Sequence, residues 1–152
     1  MTKYTFNPHK AAVKAIGWCP WKPKLLATGG GSSDRRLNFW NTNDGSLVQS
    51  IETGSQVCSM VWCDSYHELI TSHGFADNQL MIWKLPQYKL VGSIKAHQSR
   101  VLQLAISPDN STVASAAGDE NLKFWKLFER KKSQRIMEQC GKRDWSSMQK
   151  IR

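Results

Sequence analysis

Residues 36–41, RLNFWN, return as QLMIWK at 79–84 and as NLKFWK at 121–126, so Trp40, Trp83 and Trp125 recur at intervals of 43 and 42 residues. The same period appears on either side of each copy. AVKAIGW at 12–18 returns as QVCSMVW at 56–62 and RVLQLAI at 100–106, each displaced by 44 residues, and SLVQSI at 46–51 matches KLVGSI at 89–94. A period of about 40 to 45 residues holding several short strands is the signature of propeller blades. The chain is therefore read as all-β, with about three blades.

Each unit reads as four short strands. The first carries Lys14, Ile16 and Trp18, then Cys58, Met60 and Trp62, then Leu102, Leu104 and Ile106. Its faces are mostly apolar in the later copies, as expected of a strand covered on both sides. The second strands are LLAT (25–28), ELIT (68–71) and TVAS (112–115), the third end in the three tryptophans, and SLVQSI and KLVGSI are the fourth. Turn residues separate them: Pro20, Pro23, Pro108, Asp109 and Asn110 before the second strands, Asp44, Gly45 and Pro86 before the fourth. After Trp125 the fourth strand dissolves into KLFERKKSQR, and the chain opens on Tyr4, Thr5 and Phe6, read as the end of a fourth strand. The expected organisation is the end of a preceding blade at 1–8, repeats at 9–52, 53–95 and 96–128, the last lacking its outer strand, and a basic flexible tail at 129–152. Three blades cannot close a ring of about 4 to 8, so this is read as the C-terminal part of a longer propeller.

Composition narrows the function. The 152 residues are 40% hydrophobic and 22% charged, with a formal charge of +9. Residues 126–152 carry +6 of that, leaving a nearly balanced body and a basic tail. Such a tail admits nucleic-acid contact as an alternative reading, but solvated charge without a groove-reading motif is commoner. No apolar run approaches the roughly 18 to 20 residues of a membrane helix, and MTKYTFNPHKAAVK lacks the basic-then-apolar order of a secretory signal, so no membrane partner is expected. Cys19, Cys58, Cys63 and Cys140 fit no CxxC spacing, which favours reduced thiols in a cytosolic or nuclear protein.

Several polar residues recur at blade period. Asp34, Asp77 and Asp119 each lie six residues before the tryptophan, Thr28, Thr71 and Ser115 lie near the end of the second strand, and His9 and His97 precede their first strands. They resemble the His, Ser/Thr, Asp, Trp tetrad of WD repeats, in which buried polar groups satisfy one another. A catalytic or metal role for His9, His97, Asp34 and Asp119 is the rival, and their repetition argues against it. In the middle unit Thr53 or Gly54 occupies the histidine place, so an incomplete tetrad is expected there. His67 and His73, near Cys58 and Cys63, lack a zinc-site spacing and are read as satisfied loop histidines. GGGSS at 29–33 has no Lys-Ser/Thr ending and is read as a turn. No GxSxG or HExxH motif is present, and neither enzymatic activity, a cofactor nor a metal is expected. The segments Thr28 to Asp34 and Thr71 to Asp77 are two residues longer than Ser115 to Asp119, which marks one face of the propeller as the binding face.

The strings WCPWKPKLLATGGGSSDR, GSQVCSMVW, ELITSHGFADNQLMIWKLP, SRVLQLAISPD and ASAAGDENLKFW, with a terminal Ile151-Arg152, closely resemble the Fizzy family, WD-repeat co-activators of the anaphase-promoting complex ubiquitin ligase. SHGFADNQL and ASAAGDE are more like the mitotic Fizzy branch than the Fizzy-related branch. The resemblance implies a seven-bladed ring, of which this chain holds the C-terminal blades, and a substrate receptor acting in cell division in the nucleus and cytoplasm. It implies that Ser32, Gln56 and Arg100 bind degrons of the Lys-Glu-Asn type and that Glu120 receives the arginine of a destruction box. It further implies that Ile151 and Arg152 dock in a tetratricopeptide subunit of the ligase. Degron-bearing cell-cycle proteins and mitotic checkpoint proteins are the other partners it names.

Overall fold

The computed structural model describes residues 3–128. Strands β1 (Val13–Trp18), β2 (Leu25–Gly30), β3 (Arg36–Asn41) and β4 (Ser46–Glu52) pair antiparallel in chain order as one sheet. A second sheet is built likewise from β5 (Val57–Cys63), β6 (Glu68–His73), β7 (Gln79–Lys84) and β8 (Lys89–Lys95), with a 3-10 turn at Asp64–Tyr66 joining its first two strands. The third holds β9 (Val101–Ile106), β10 (Thr112–Ala117) and β11 (Leu122–Lys126). Successive sheets meet along their first strands, β1 beside β5 and β5 beside β9.

The period-two alternation of a strand sends neighbouring side chains to opposite faces, and in the middle sheet both faces are covered. Leu69, Trp83 and Met60 join Ala15, Leu37 and Phe39 in a core between the first two sheets. Ile70, Leu80 and Cys63 join Val101, Leu104 and Val113 in a second core between the last two. Consequently β5 is buried along most of its length, whereas β1 and β9 keep exposed residues such as Ile16, Trp18 and Leu102 on faces with no neighbouring sheet among the described residues. Among the described residues, two-sided coverage, expected of all three first strands, thus holds for β5 alone.

Two short segments differ from the sequence reading. Tyr4, Thr5 and Phe6 form no strand; the Tyr4 hydroxyl donates to the Asn43 carbonyl at 2.7 Å and the Phe6 ring stacks on Trp40 at 4.5 Å between centroids. One side-chain hydrogen bond and an aromatic stack hold this segment on the first sheet in place of strand pairing. In the run read as a turn, Gly29 and Gly30 belong to β2 and are fully covered. A Cβ on Gly29 would lie 2.5 Å from Val57 Cγ1, so glycine is what lets the second sheet approach.

Candidate peptide-binding rim

Antiparallel strands of similar length bring the turns after β2, β6 and β10 to the same end of the sheets as the linkers before β1, β5 and β9. A buried hydrogen-bond network supports that rim in each sheet. In the first, Trp40 Nε1 donates to Thr28 Oγ1 at 2.8 Å, Thr28 Oγ1 meets His9 Nε2 at 2.6 Å, and His9 Nδ1 meets the Asp34 carboxylate at 2.5 Å. With Thr28 accepting from tryptophan, its hydroxyl proton is free to go to Nε2, leaving Nδ1–H for Asp34. The third sheet repeats this with Trp125, Ser115, His97 and Asp119 at 2.8 to 3.1 Å. Desolvation raises the Asp119 carboxyl, but bonds from Gln98, Asn121 and His97 outweigh it and hold the group down to about 2.

The middle sheet completes its network differently. Trp83 Nε1 donates to Thr71 Oγ1 at 2.9 Å as expected, but Thr71 meets Nε2 of His73 at 2.8 Å, and His73 Nδ1 meets Ser55 Oγ at 3.0 Å. The histidine comes from the end of β6, not from the linker, and Asp77 is exposed and outside the network. The expected vacancy at Thr53 or Gly54 is thus filled, and His73 is a buried strand residue, not a loop one. Thr71 and His73 are two apart on one strand, so they share a face; that spacing was a legible signal. Burial pulls His73 down to about 4, against an opposing pull from Ser55. His67, by contrast, adopts a left-handed conformation after the 3-10 turn and lays its ring 4.7 Å from that of Trp21.

Above these networks, Ser32, Gln56 and Arg100 form a continuous line across three sheets. Ser32 Oγ donates to Gln56 Oε1 at 3.3 Å. Arg35, at φ +53°, donates Nε to the Ser32 carbonyl at 2.8 Å and Nη1 to the Gly54 carbonyl at 3.5 Å, stapling the turn that carries Ser32 to the linker that carries Gln56. The Gly74 N–H donates to the Gln56 carbonyl at 3.2 Å, and a Cβ on Gly74 would lie 3.2 Å from both Cγ and Nε of Arg100. The arginine stem therefore lies over a bare α-carbon, and its backbone carbonyl accepts from Gly118 N–H at 3.0 Å. Arg100 is exposed and has no ion-pair partner among the described residues. Strand irregularities at Val13/Ala15, Val57/Ser59 and Ala116/Ala117 all fall at this end, where a bulge re-aims the side chains that follow or precede it. Arg35 and Gly74 carry no sequence signal for this role, since the bond from Arg35 to Gly54 and the seat of Arg100 on Gly74 are contacts between units.

Glu120 sits exposed in the β10–β11 turn of the same rim at φ +64°, next to Asp119, whose carboxylate accepts from the N–H groups of Gln98 and Asn121. Ile151 and Arg152 lie outside the described residues, as does Cys140. Cys19, Cys58 and Cys63 are free and buried, and burial pushes all three thiols up, away from the reactive thiolate. Among the described residues no group of three His, Cys, Asp or Glu side chains could hold a metal ion.

Radially arranged sheets tied by repeated Trp, Ser/Thr and His bonds define a WD-repeat propeller protein, and the family model described as WD domain, G-beta repeat matches residues 2–41 and 88–126. The Arabidopsis thaliana protein named cell division cycle 20.4, cofactor of APC complex, is 53% identical over 125 residues, covering 82% of this chain and 28% of that protein. Protein FIZZY-RELATED 3 of the same plant is 47% identical over 133 residues, covering 88% of this chain and 28% of the relative. A chain in the crystal structure of the mitotic checkpoint complex superposes with a TM-score of 0.82 at 45% identity, covering 85% of this chain and 42% of that one. The chain belongs to the Fizzy family of WD-repeat proteins and spans a little over a quarter of the length of these two relatives.

Proposed function

We propose that this chain is part of a co-activator of the anaphase-promoting complex and that its rim receives degrons of the Lys-Glu-Asn type. The observation that carries this reading is the line from Ser32 through Gln56 and Gly74 to an exposed Arg100 that has no ion-pair partner among the described residues. A guanidinium is a fork that meets a carboxylate through two parallel bonds, and the Gln56 amide can donate to the same group. Ser32, already within reach of Gln56, can bond the amide of the degron asparagine. The names of the relatives support the ligase connection. In this reading Glu120 receives the arginine of a destruction box, the Ile151-Arg152 terminus docks on a tetratricopeptide subunit, and the protein works in the nucleus and cytoplasm, where checkpoint proteins meet it. It acts by binding rather than by catalysis.

Titrating a fluorescent Lys-Glu-Asn peptide into the full-length protein tests the proposal. Removing a charge-assisted bond costs about 1.5 to 3 kcal/mol, so Arg100→Ala is expected to weaken binding roughly 10- to 100-fold, with Arg100→Lys in between because it keeps the charge and loses the fork. Unchanged affinity in Arg100→Ala removes the assignment. Gly74→Ala is a subtler probe: the new methyl pushes the arginine stem by a few tenths of an ångström. Peptide affinity should fall several-fold while stability changes by less than about 1 kcal/mol. A Gly74→Ala protein with normal affinity would show that the stem position is not constrained.

A further inference from the structure

Phe75 is the most exposed large apolar side chain among the described residues, at 80%. The others have a visible reason, Tyr4 stacking on Phe6 and donating its hydroxyl to the Asn43 carbonyl. Val13, Ile16, Trp18, Leu102, Leu122 and Phe124 lie on the first and third sheets, which have an uncovered face, while Leu47, Val48, Leu90 and Val91 lie on the outermost strands β4 and β8. Phe75 lies in a turn of the middle sheet, flanked by both other sheets, so no uncovered sheet face accounts for it. Its chain neighbour Gly74 is the residue on which the Arg100 stem rests and whose N–H bonds to Gln56. Phe75 is thus one chain position from the residue that carries the Arg100 stem, whose guanidinium has no ion-pair partner among the described residues, so this turn offers one group suited to a carboxylate and one suited to an apolar side chain.

We infer that Phe75 is a specificity-determining residue of this rim, and that the peptides taken there carry an apolar side chain within about two residues of the acidic residue held by Arg100. An extended peptide advances about 3.3 Å per residue, so two residues span roughly the reach of an aromatic ring one position along the chain from the arginine's resting place. The inference rests on the proposed degron reading and narrows its substrate class.

The test pairs protein and peptide variants. Two Lys-Glu-Asn peptides are titrated into the full-length protein, one with leucine at the two positions on either side of the tripeptide and one with serine there. Phe75→Ser is expected to lose about five- to tenfold affinity for the leucine peptide and none for the serine peptide, with Phe75→Leu retaining most of the preference. Arg100→Ala is expected to weaken both peptides alike. If Phe75→Ser leaves the leucine peptide unchanged, or weakens both peptides equally, while Arg100→Ala weakens binding of both, the role of Phe75 is overturned and the degron site stands. If Arg100→Ala has no effect on either peptide, the degron reading itself falls. Because the ring is exposed, an unchanged unfolding midpoint in Phe75→Ser separates a binding effect from a folding one.

Discussion

Gly30→Ala is expected to destabilise the protein by about 2 to 4 kcal/mol, from overpacking together with loss of charge-assisted bonds. A Cβ there would lie 1.8 Å from Asp34 Oδ2 and 2.9 Å from Asp34 Cβ, too close for a rotation of the carboxylate alone to relieve. The Asp34 side chain is fully covered and accepts from His9 Nδ1 at 2.5 Å and from the Lys10 N–H at 3.2 Å, so displacing it also strands the histidine. Chemical denaturation gives the stability. The cause is isolated by a cycle with Asp34→Gly: once that side chain is gone, Cβ included, the added methyl should cost much less, whereas strictly additive losses would place the damage elsewhere.

The second large effect is a pH dependence located at one histidine. His73 is fully buried between Thr71 and Ser55, both neutral, and titrates at about 4 instead of 6.5. Above pH 6.5 the ring is neutral in both folded and unfolded chains and contributes no slope. Between 6.5 and 4 the unfolded chain binds a proton that the folded one refuses, so stability falls as pH falls. Below 4 the difference is complete and amounts to about 3 kcal/mol. Wild-type protein should therefore lose stability across that window, and His73→Asn, though weaker overall, should lose about 3 kcal/mol less over the same range. Parallel pH profiles for the two proteins would mean that the ring does not stay neutral. In the first and third sheets the histidines sit against the carboxylates of Asp34 and Asp119 instead of two hydroxyls.

How much of this could be read from the residues depends on the range of each interaction. The Trp40, Trp83 and Trp125 register and the Thr28, Thr71 and Ser115 positions lie within single units, where a fixed spacing along the chain becomes a fixed spacing in space. The strands they belong to were legible for the same reason. His73 was legible only in part: its position two residues from Thr71 puts both on one face, but which histidine occupies the pocket depends on whether the linker or the strand end reaches it. The meeting of Ser32 with Gln56, and the rest of Arg100 on Gly74, join residues 24 and 26 apart across sheet boundaries. Equivalence by period puts such residues at one rim and leaves their contacts open.

The amino-acid sequence alone determined the repeat, the all-β class, the tetrads of the first and third units and the family likeness, because each arises from local patterns copied at a constant interval. Tertiary structure alone decided that β2 absorbs two glycines, that Asp77 stands aside for His73, and that Phe75 is left in water one residue from the seat of the Arg100 stem. Those outcomes are set by how closely one sheet packs on the next, a distance that no single repeat encodes.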